Sequence, residues 1–231
     1  MTLRILTVTL GFAFFCFPIV LLAEADPMAA AGRIELVIEN GETKTCSASL
    51  IEPDVVLTAA HCVAFSARNA GDGPVGWVFR PGDGVRGREY GVDAIAVHPL
   101  YELSGGFSNY RLRFDMAALK LKAPIPNDVA VPFSQGLGAE LGERLFLASW
   151  RPDASFKPRQ RICEVITGLR GLVTLGCPVR GGESGAPILR KLNDRVELVA
   201  VLSSRSRVRV QPVGQGANVE LRLVPLLDQF K

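Results

Sequence analysis

Short apolar segments separated by turn-forming residues run along most of this chain. Residues 34–38 alternate apolar and polar positions and lead into Glu39-Asn40-Gly41, a sequence typical of a hairpin turn. The same kind of pattern predicts further strands over residues 47–51, 55–57, 77–79, 94–97, 116–121, 145–149, 162–167, 172–175, 186–189 and 196–202. Because these strands are short and Gly, Pro and Asp cluster between them, we expect an all-β fold, a sandwich or barrels, and not a parallel α/β sheet.

A Pro-rich and less periodic stretch over residues 123–138 divides the predicted strands into two groups. We therefore expect two β-rich units, one over residues 26–132 and one over residues 133–231, with this stretch as the linker. The apolar spacing within residues 219–230 predicts a short helix near the C-terminus.

The N-terminus has the pattern of a secretory signal peptide. A basic start precedes a nearly uninterrupted apolar run over residues 5–23, and Ala23-Glu24-Ala25 supplies the small residues that a signal peptidase reads. We expect residues 1–25 to be removed, although Ala29-Ala30-Ala31 offers a second cleavage site. A retained membrane anchor is the alternative, since the run is just long enough to span a bilayer, but Pro18 and the small residues favour cleavage. The mature protein is then secreted or periplasmic, with no stable membrane association.

Charge and cysteine content narrow the class of protein further. The 26 Lys and Arg residues nearly balance the 23 Asp and Glu residues, so the net charge of +3 gives no reason to expect nucleic acid as a partner. Of the five cysteines, Cys16 leaves with the signal peptide, and the remaining four indicate two disulfides. Three pairings are possible, and the sequence-local pairs Cys46–Cys62 and Cys163–Cys177 are favoured. Neither pair has the spacing of zinc ligands, so no metal and no cofactor is expected.

Three segments carry candidate chemistry. Residues 58–62 (Thr-Ala-Ala-His-Cys) follow an apolar strand, Asp115 stands at the start of another, and residues 181–187 place Ser184 among glycines ahead of a third. Hydrolysis of an amide needs a nucleophile, a base that takes its proton and a group that orients the base. Serine, imidazole and carboxylate fill these roles, and nearby glycines let backbone N–H groups face a developing oxyanion. The sequence holds one candidate for each role.

These segments resemble the motifs of the trypsin-like serine proteases. Residues 56–62 are similar to the histidine motif of that family, residues 115–121 to its aspartate motif and residues 182–187 to its serine motif, in the family's chain order. The resemblance implies the chymotrypsin-like fold, in which two packed antiparallel β-barrels form one peptidase domain. The histidine and the aspartate would come from the first barrel and the serine from the second.

The resemblance also implies a role for each candidate residue. His61 would be the general base, Asp115 the group that orients it, and Ser184 the nucleophile of a secreted endopeptidase that cleaves proteins or peptides through an acyl-enzyme intermediate. The N–H groups of Gly182 and Ser184 would form the oxyanion hole. The spacing of Cys46 and Cys62 is also the one with which the family braces its histidine loop.

Substrate preference is harder to predict. Residues 198–204 resemble the strand that pairs with the substrate backbone, which places three residues at the substrate: Ser203, Ser204 and Arg205. No aspartate lies shortly before Ser184, so trypsin's preference for Lys and Arg is not supported. One hypothesis is that Arg180 and Arg205 bind an acidic substrate side chain. The alternative, which the sequence favours, is a solvated charged edge on which Arg205, Arg207 and Arg209 share one strand face.

Two departures from the family bear on activation. Arg33-Ile34 superficially resembles the cleavage site of a zymogen, but Glu35-Leu36 replaces the residues that should follow it. Glu183 stands where the family has the aspartate that receives the newly formed amino group. We therefore expect removal of the signal peptide alone to give a competent enzyme.

Two other functions stay open at this point: a catalytically silent homologue that serves as a binding module, and an esterase that uses the same triad. An intact triad argues against the first, and an α/β-hydrolase esterase would place its serine before its histidine. Calcium is not expected, although Asp72, Asp83 and Glu89 lie in or near a loop where some relatives bind it. His98 is interpreted as a structural residue, and nothing predicts the oligomeric state.

Overall fold

The computed structural model consists mainly of β-strands, with short helices between and after them. It describes residues 26–37, 43–68, 76–82, 88–101, 108–150, 158–169, 171–193 and 195–231. The strands are β1 (Ala31–Val37), β2 (Thr43–Glu52), β3 (Val55–Thr58), β4 (Trp77–Pro81), β5 (Tyr90–Val97), β6 (Ala117–Leu121), β7 (Ser134–Gln135), β8 (Arg144–Ser149), β9 (Arg159–Leu169), β10 (Leu172–Leu175), β11 (Pro187–Lys191), β12 (Val196–Val208) and β13 (Gln211–Asn218). The helices are α1 (Ala60–Arg68), α2 (Asn109–Leu112) and α3 (Leu223–Leu227), followed by a 3₁₀ turn at Asp228–Phe230. The predicted signal peptide and the predicted turn at residues 39–41 lie outside the described residues.

The first six strands close into a barrel in the order β1-β2-β3-β6-β5-β4. The strand β1 closes it, because β1 pairs in antiparallel fashion with β2 on one edge and with β4 on the other. Alternation along β4 turns Trp77 and Phe79 inward, where both are almost fully buried. At Gly32 any side chain would overlap the Arg80 carbonyl oxygen and the Phe79 ring, so glycine is required where β1 passes this packed ring.

The last six strands close a second barrel in the order β11-β8-β9-β10-β13-β12, and β12 returns to pair with β11. The short strand β7 adds to β12 in parallel. The hydrophobic pattern misses β13 because two of its inward positions are glycines. A side chain at Gly216 would lie 2.5 Å from Ile188 Cδ1, and one at Gly214 would lie 2.8 Å from Val179 Cγ1. The predicted all-β fold with two antiparallel barrels is confirmed.

The linker residues 123–138 run from the first barrel to the second. The N–H of Phe133 donates to the carbonyl of Leu50 in β2 at 3.0 Å, and the N–H of Gly136 donates to the carbonyl of Leu198 in β12 at 2.8 Å. The larger apolar core is continuous across the junction, since it includes Leu57 from the first barrel and Trp150 from the second. The two barrels therefore share one apolar core.

The predicted C-terminal helix is also confirmed, and it packs on the first barrel although it follows the second in sequence. Leu223 and Leu226 of α3 are buried in the larger core. The Gln229 side chain donates to the carbonyl of Val97 in β5 at 3.2 Å. None of the described helices is both long enough and apolar enough to cross a membrane.

The structure contains the two sequence-local disulfides. Cys46–Cys62 joins β2 to α1, and Cys163–Cys177 joins β9 to the segment after β10. Their sequence separations are 16 and 14 residues. Closing a loop of this size restricts the unfolded chain and stabilises the fold by about 3 kcal/mol in the chain-entropy account.

His98 is buried in the segment after β5, beside the residues that lead into β6. Its backbone N–H donates to the carbonyl of Met116 at 3.0 Å, and its Nδ1 accepts from the N–H of Leu100 at 3.2 Å. Its ring lies 4.9 Å from that of Phe114. Burial, and secondarily the nearby Arg222 charge, lowers the pKa of His98 from 6.5 to about 4. The imidazole of the folded protein is therefore neutral above about pH 4.

This depressed pKa predicts a pH-dependent stability. The unfolded chain binds a proton at His98 near pH 6.5 and the folded chain only near pH 4, so the free energy of unfolding should fall as the pH is lowered through that window, by at most about 3 kcal/mol. His98→Asn keeps an acceptor for the Leu100 N–H and cannot titrate, so it should lack this part of the decline. Urea unfolding of both proteins at about pH 7 and about pH 4.5 measures the difference. Equal losses of stability in the two proteins would contradict the prediction.

Candidate active site

Two adjacent strands of the first barrel bring His61 and Asp115 together. Thr58, the last residue of β3, pairs with Ala117, the first residue of β6. His61 follows β3 at the start of α1, and Asp115 immediately precedes β6, so both side chains lie at the same edge of the barrel. His61 Nδ1 lies 2.7 Å from Asp115 Oδ2, and the His61 backbone N–H donates to Oδ1 at 2.9 Å. The Asp115 side chain is 5% exposed, whereas the His61 side chain is 35% exposed.

A third donor reaches the same carboxylate from the second barrel. The hydroxyl of Ser203, in β12, donates to Asp115 Oδ2. Ser203, which the sequence placed at the substrate, thus directs its side chain to Asp115. Because an ionised carboxylate only accepts hydrogen bonds, the proton in the His61–Asp115 pair lies on Nδ1. This tautomer leaves Nε2 of His61 free to accept a proton.

Ser184 lies in the loop before β11, where it touches the first barrel. Its carbonyl accepts a hydrogen bond of 2.8 Å from the N–H of Ser47 in β2. The next residue, Gly185, has a φ of 79°, and a side chain there would overlap the Ser47 carbonyl oxygen and Thr58 Oγ1. Only glycine fits where the loop crosses β2 and β3 this closely. The close crossing places Ser184 beside the edge that carries His61.

The two predicted oxyanion donors lie in the same loop. Gly182 has a φ of 88°, a conformation that favours glycine. The neighbouring N–H groups of Glu183 and Gly185 donate to the carbonyls of Arg180 and Leu202, at 3.3 and 2.7 Å. Among the described residues, the N–H groups of Gly182 and Ser184 have no backbone acceptor. They are therefore available to a ligand oxygen.

His61, Asp115 and Ser184 share a cleft of about 540 Å³ between the barrels. The other lining residues are Tyr101, Arg111, Leu112, Val179, Arg180, Gly181, Leu202, Ser203, Ser204 and Arg205. Within the described part of the chain, Ser184 Oγ makes no hydrogen bond to His61. Such contacts often tighten only when substrate is bound. The structure thus brings the three predicted residues to one cleft, with Ser204 and Arg205 on its wall.

Comparison with known families agrees with this arrangement. The trypsin family model matches residues 24–166, more than half of the chain, and the match includes His61 and Asp115. The chain belongs to the trypsin family. It is a trypsin-like serine protease by family, which implies protein or peptide substrates. The match ends before Ser184, so the place of that serine rests on the loop geometry above. No curated protein matches the chain.

Glu183, which stands where the trypsin family has an aspartate, is completely buried. Its Oε2 pairs with Arg161 Nη2 at 2.5 Å and accepts the backbone N–H of Arg180 at 2.9 Å. The hydroxyl of Ser149 donates to Oε1 at 3.2 Å. A guanidinium group from β9 therefore neutralises this charge inside the second barrel and holds the loop that carries Ser184.

Some residues around the cleft could not be found from the motifs. Arg111, in α2, lines the cleft and donates to the Tyr101 hydroxyl at 2.9 Å, but it belongs to no motif and no periodic pattern marks it. The expected row of three arginines on one strand face is wrong. Arg205 and Arg207 lie in β12, but Arg209 lies in the turn after it with a φ of 55°. The hairpin into β13 ends the strand first.

Among the described residues, no group of three or more His, Cys, Asp and Glu side chains is placed to hold a metal ion. Of the acids considered for calcium, Asp72 and Asp83 lie outside the described residues. Glu89 pairs with Arg80 at 2.6 Å.

The buried pair of Glu183 and Arg161 predicts a large effect of removing one partner. Arg161→Met leaves the Glu183 charge buried without its guanidinium partner and should lower the free energy of unfolding by about 3 kcal/mol. The matched control is the double variant Arg161→Met/Glu183→Gln, which buries no charge and should recover most of that loss. Urea unfolding of the three proteins gives the comparison. An Arg161→Met protein as stable as the wild type would refute this account of Glu183.

Proposed function

We propose that this protein is an active serine endopeptidase with Ser184 as nucleophile, His61 as general base and Asp115 as the residue that orients His61. The observation that carries the proposal is the hydrogen-bonded His61–Asp115 pair, which opens onto the cleft that also contains Ser184. The N–H groups of Gly182 and Ser184, which have no backbone acceptor among the described residues, support an oxyanion hole beside it.

The proposed reaction uses these groups in two half-reactions. Ser184 Oγ attacks the carbonyl carbon of the scissile bond while its proton passes to His61 Nε2. The resulting oxyanion is stabilised by the N–H groups of Gly182 and Ser184, each such donor contributing about 3 kcal/mol. Cleavage of the C–N bond leaves an ester on Ser184, and His61 gives its proton to the departing amine. Water that loses a proton to His61 then attacks the ester, and the proton returns to Ser184 as the acid is released.

We infer that this enzyme needs no trypsin-like activation cut. Ile34 is completely buried in β1, where it lies opposite Cys46 and Phe79, so cleavage before it would cut a barrel strand. Glu183, which would receive the new amino group, is already paired with Arg161. The burial of Ile34 and the pairing of Glu183 with Arg161 both support an enzyme that is active once its signal peptide is removed.

We further propose that the protein is exported, to the periplasm or outside the cell, after cleavage behind Ala25. Ala30 and Ala31 are completely buried, and the Ala30 carbonyl accepts from the N–H of Leu50 at 2.8 Å. Cleavage behind Ala31 would remove that contact, which favours the first site. The two disulfides fit an oxidising compartment.

Substitution of the triad tests the proposed chemistry. Ser184→Ala should lower kcat/KM on casein by about 10⁴-fold or more, and Asp115→Asn by a similar factor because it favours the wrong His61 tautomer. A fluorophosphonate probe should label the wild type and not Ser184→Ala. Ser134→Ala, at an exposed serine outside the cleft, is the matched control and should be labelled normally.

Other results of the same measurements would point to the other functions. Failure of the probe to label the wild type would favour a catalytically silent binding module. Ester turnover without proteolysis would favour an esterase.

The activation proposal predicts that protein beginning at Asp26 has full activity without any further cleavage. Arg33→Gln, which removes the tryptic site before Ile34, should be equally active. Rates on casein before and after brief trypsin treatment measure both proteins. Activity that appears only after a cut at Arg33 would disprove the inference.

A further inference from the structure

Three arginines line the cleft. They are Arg111, Arg180 and Arg205, and of the described residues that line the cleft only Asp115 is acidic. That carboxylate is buried and is engaged by His61 and Ser203, so it does not offer its charge to a bound peptide. A cleft walled by one sign of charge concentrates ligands of the other sign.

The pairing of β12 with β13 fixes the direction of the Arg205 side chain. Arg205 lies directly opposite Gly214, and opposed residues of an antiparallel pair extend from the same face of the sheet. Val179 packs on that face, since a side chain at Gly214 would lie 2.8 Å from its Cγ1. Val179 also lines the cleft beside Ser184. Arg205 therefore extends over this part of the cleft, and no side chain at position 214 screens it.

Arg180 reaches the same part of the cleft from the loop that carries Ser184. Its backbone N–H donates to Glu183 Oε2 at 2.9 Å, which fixes its position, while its side chain is exposed. Among the described residues neither Arg180 nor Arg205 has an ion-pair partner, whereas the Arg161 guanidinium is paired with Glu183. Two guanidinium groups without carboxylate partners thus border one space.

The base of this space is apolar. Val179 and Leu202 line it and are 8% and 2% exposed. From the described lining residues, a Lys or Arg side chain entering here would meet no free carboxylate and two like charges. An acidic side chain can place its methylene groups on the apolar base and its carboxylate against the guanidinium groups.

From this arrangement we propose that the cleft selects peptides with Asp or Glu immediately before the scissile bond, and that Arg205 and Arg180 bind that carboxylate. The inference rests on the proposed function, because Ser184 defines which bond is cleaved. Guanidinium groups suit this role because they bind carboxylates through paired, charge-assisted N–H bonds. Arg111, already bonded to Tyr101, adds to the positive field from the other side of the cleft.

A comparison of Arg207 with Arg205 distinguishes this proposal from the alternative of a solvated, charged strand edge that binds no ligand. Arg207 lies two residues beyond Arg205 in β12, so it shares a strand face with Arg205, and it is exposed. Unlike Arg205, it does not line the cleft. If the strand edge binds no ligand, substitution of Arg205 and of Arg207 should affect cleavage to the same extent. If the cleft binds an acidic side chain, substitution of Arg205 should reduce the preference for acidic peptides and substitution of Arg207 should not.

The test uses fluorogenic peptides that differ only at the residue before the cleaved bond, Glu against Gln and Asp against Asn. The wild type should cleave the better acidic peptide at least about tenfold faster in kcat/KM than its amide partner. Arg205→Gln/Arg180→Gln should reduce this ratio of kcat/KM values to about one. Arg207→Gln, the matched control, should keep the wild-type ratio.

Fluorophosphonate labelling of each protein separates this inference from the proposed function. Equal rates on acidic and amide peptides by a labelled wild type would overturn the inference and leave the endopeptidase intact. An Arg207→Gln variant that loses the preference as fully as Arg205→Gln would overturn it as well. If the wild type is not labelled, the proposed function fails. Fluorescence anisotropy of the same peptides with Ser184→Ala then measures whether the cleft binds acidic peptides more tightly than their amide partners. Tighter binding of the acidic peptides, lost when Arg205→Gln is added, would support the inference, and equal binding would overturn it.

Discussion

The buried carboxylate of Asp115 is the point on which the rest of the site depends. It receives two N–H groups from His61 in the first barrel and a hydroxyl from Ser203 in the second. Because it is nearly inaccessible to water, those three donors determine how it is oriented. The orientation of the imidazole, the tautomer it adopts and the meeting of the two barrels are therefore parts of one hydrogen-bonded arrangement.

The alternating strands and the candidate triad could be predicted from the sequence for different reasons. A half-buried strand shows a period of two, and β1 shows it in the alternation of Arg33, Ile34, Glu35 and Leu36. The strand β13 does not, since glycines occupy positions where neighbouring side chains leave no room. The candidate triad could be identified because the proposed chemistry requires particular residue types in recognisable local surroundings. Ser203 was found as a strand residue, but its contact with Asp115 depends on how the barrels meet, which no local pattern encodes.

Glu183 shows where prediction from local sequence stops. The substitution of glutamate for aspartate is visible in the motif, but its partner Arg161 lies in β9 and reads there as one more polar residue of a strand. Which arginine pairs with a buried glutamate depends on how the closed barrel brings distant strands together, and not on the spacing of the two residues in the sequence. The pair ties the loop of Ser184 to a strand of its own barrel, so the position of that loop does not depend on a distant chain terminus.

Both disulfides close within a single barrel, Cys46–Cys62 in the first and Cys163–Cys177 in the second. Between the barrels, the contacts at the site are non-covalent: the Ser47 N–H to the Ser184 carbonyl, and the Ser203 hydroxyl to Asp115. Each disulfide thus stabilises its own barrel, but neither disulfide holds the two barrels in alignment. For the proposed reaction, a shift of one barrel against the other by about 1 Å would cost roughly a hundredfold in rate while both disulfides stayed intact. A molecule that binds between the barrels and displaces one of them would therefore inhibit the proposed reaction without entering the cleft.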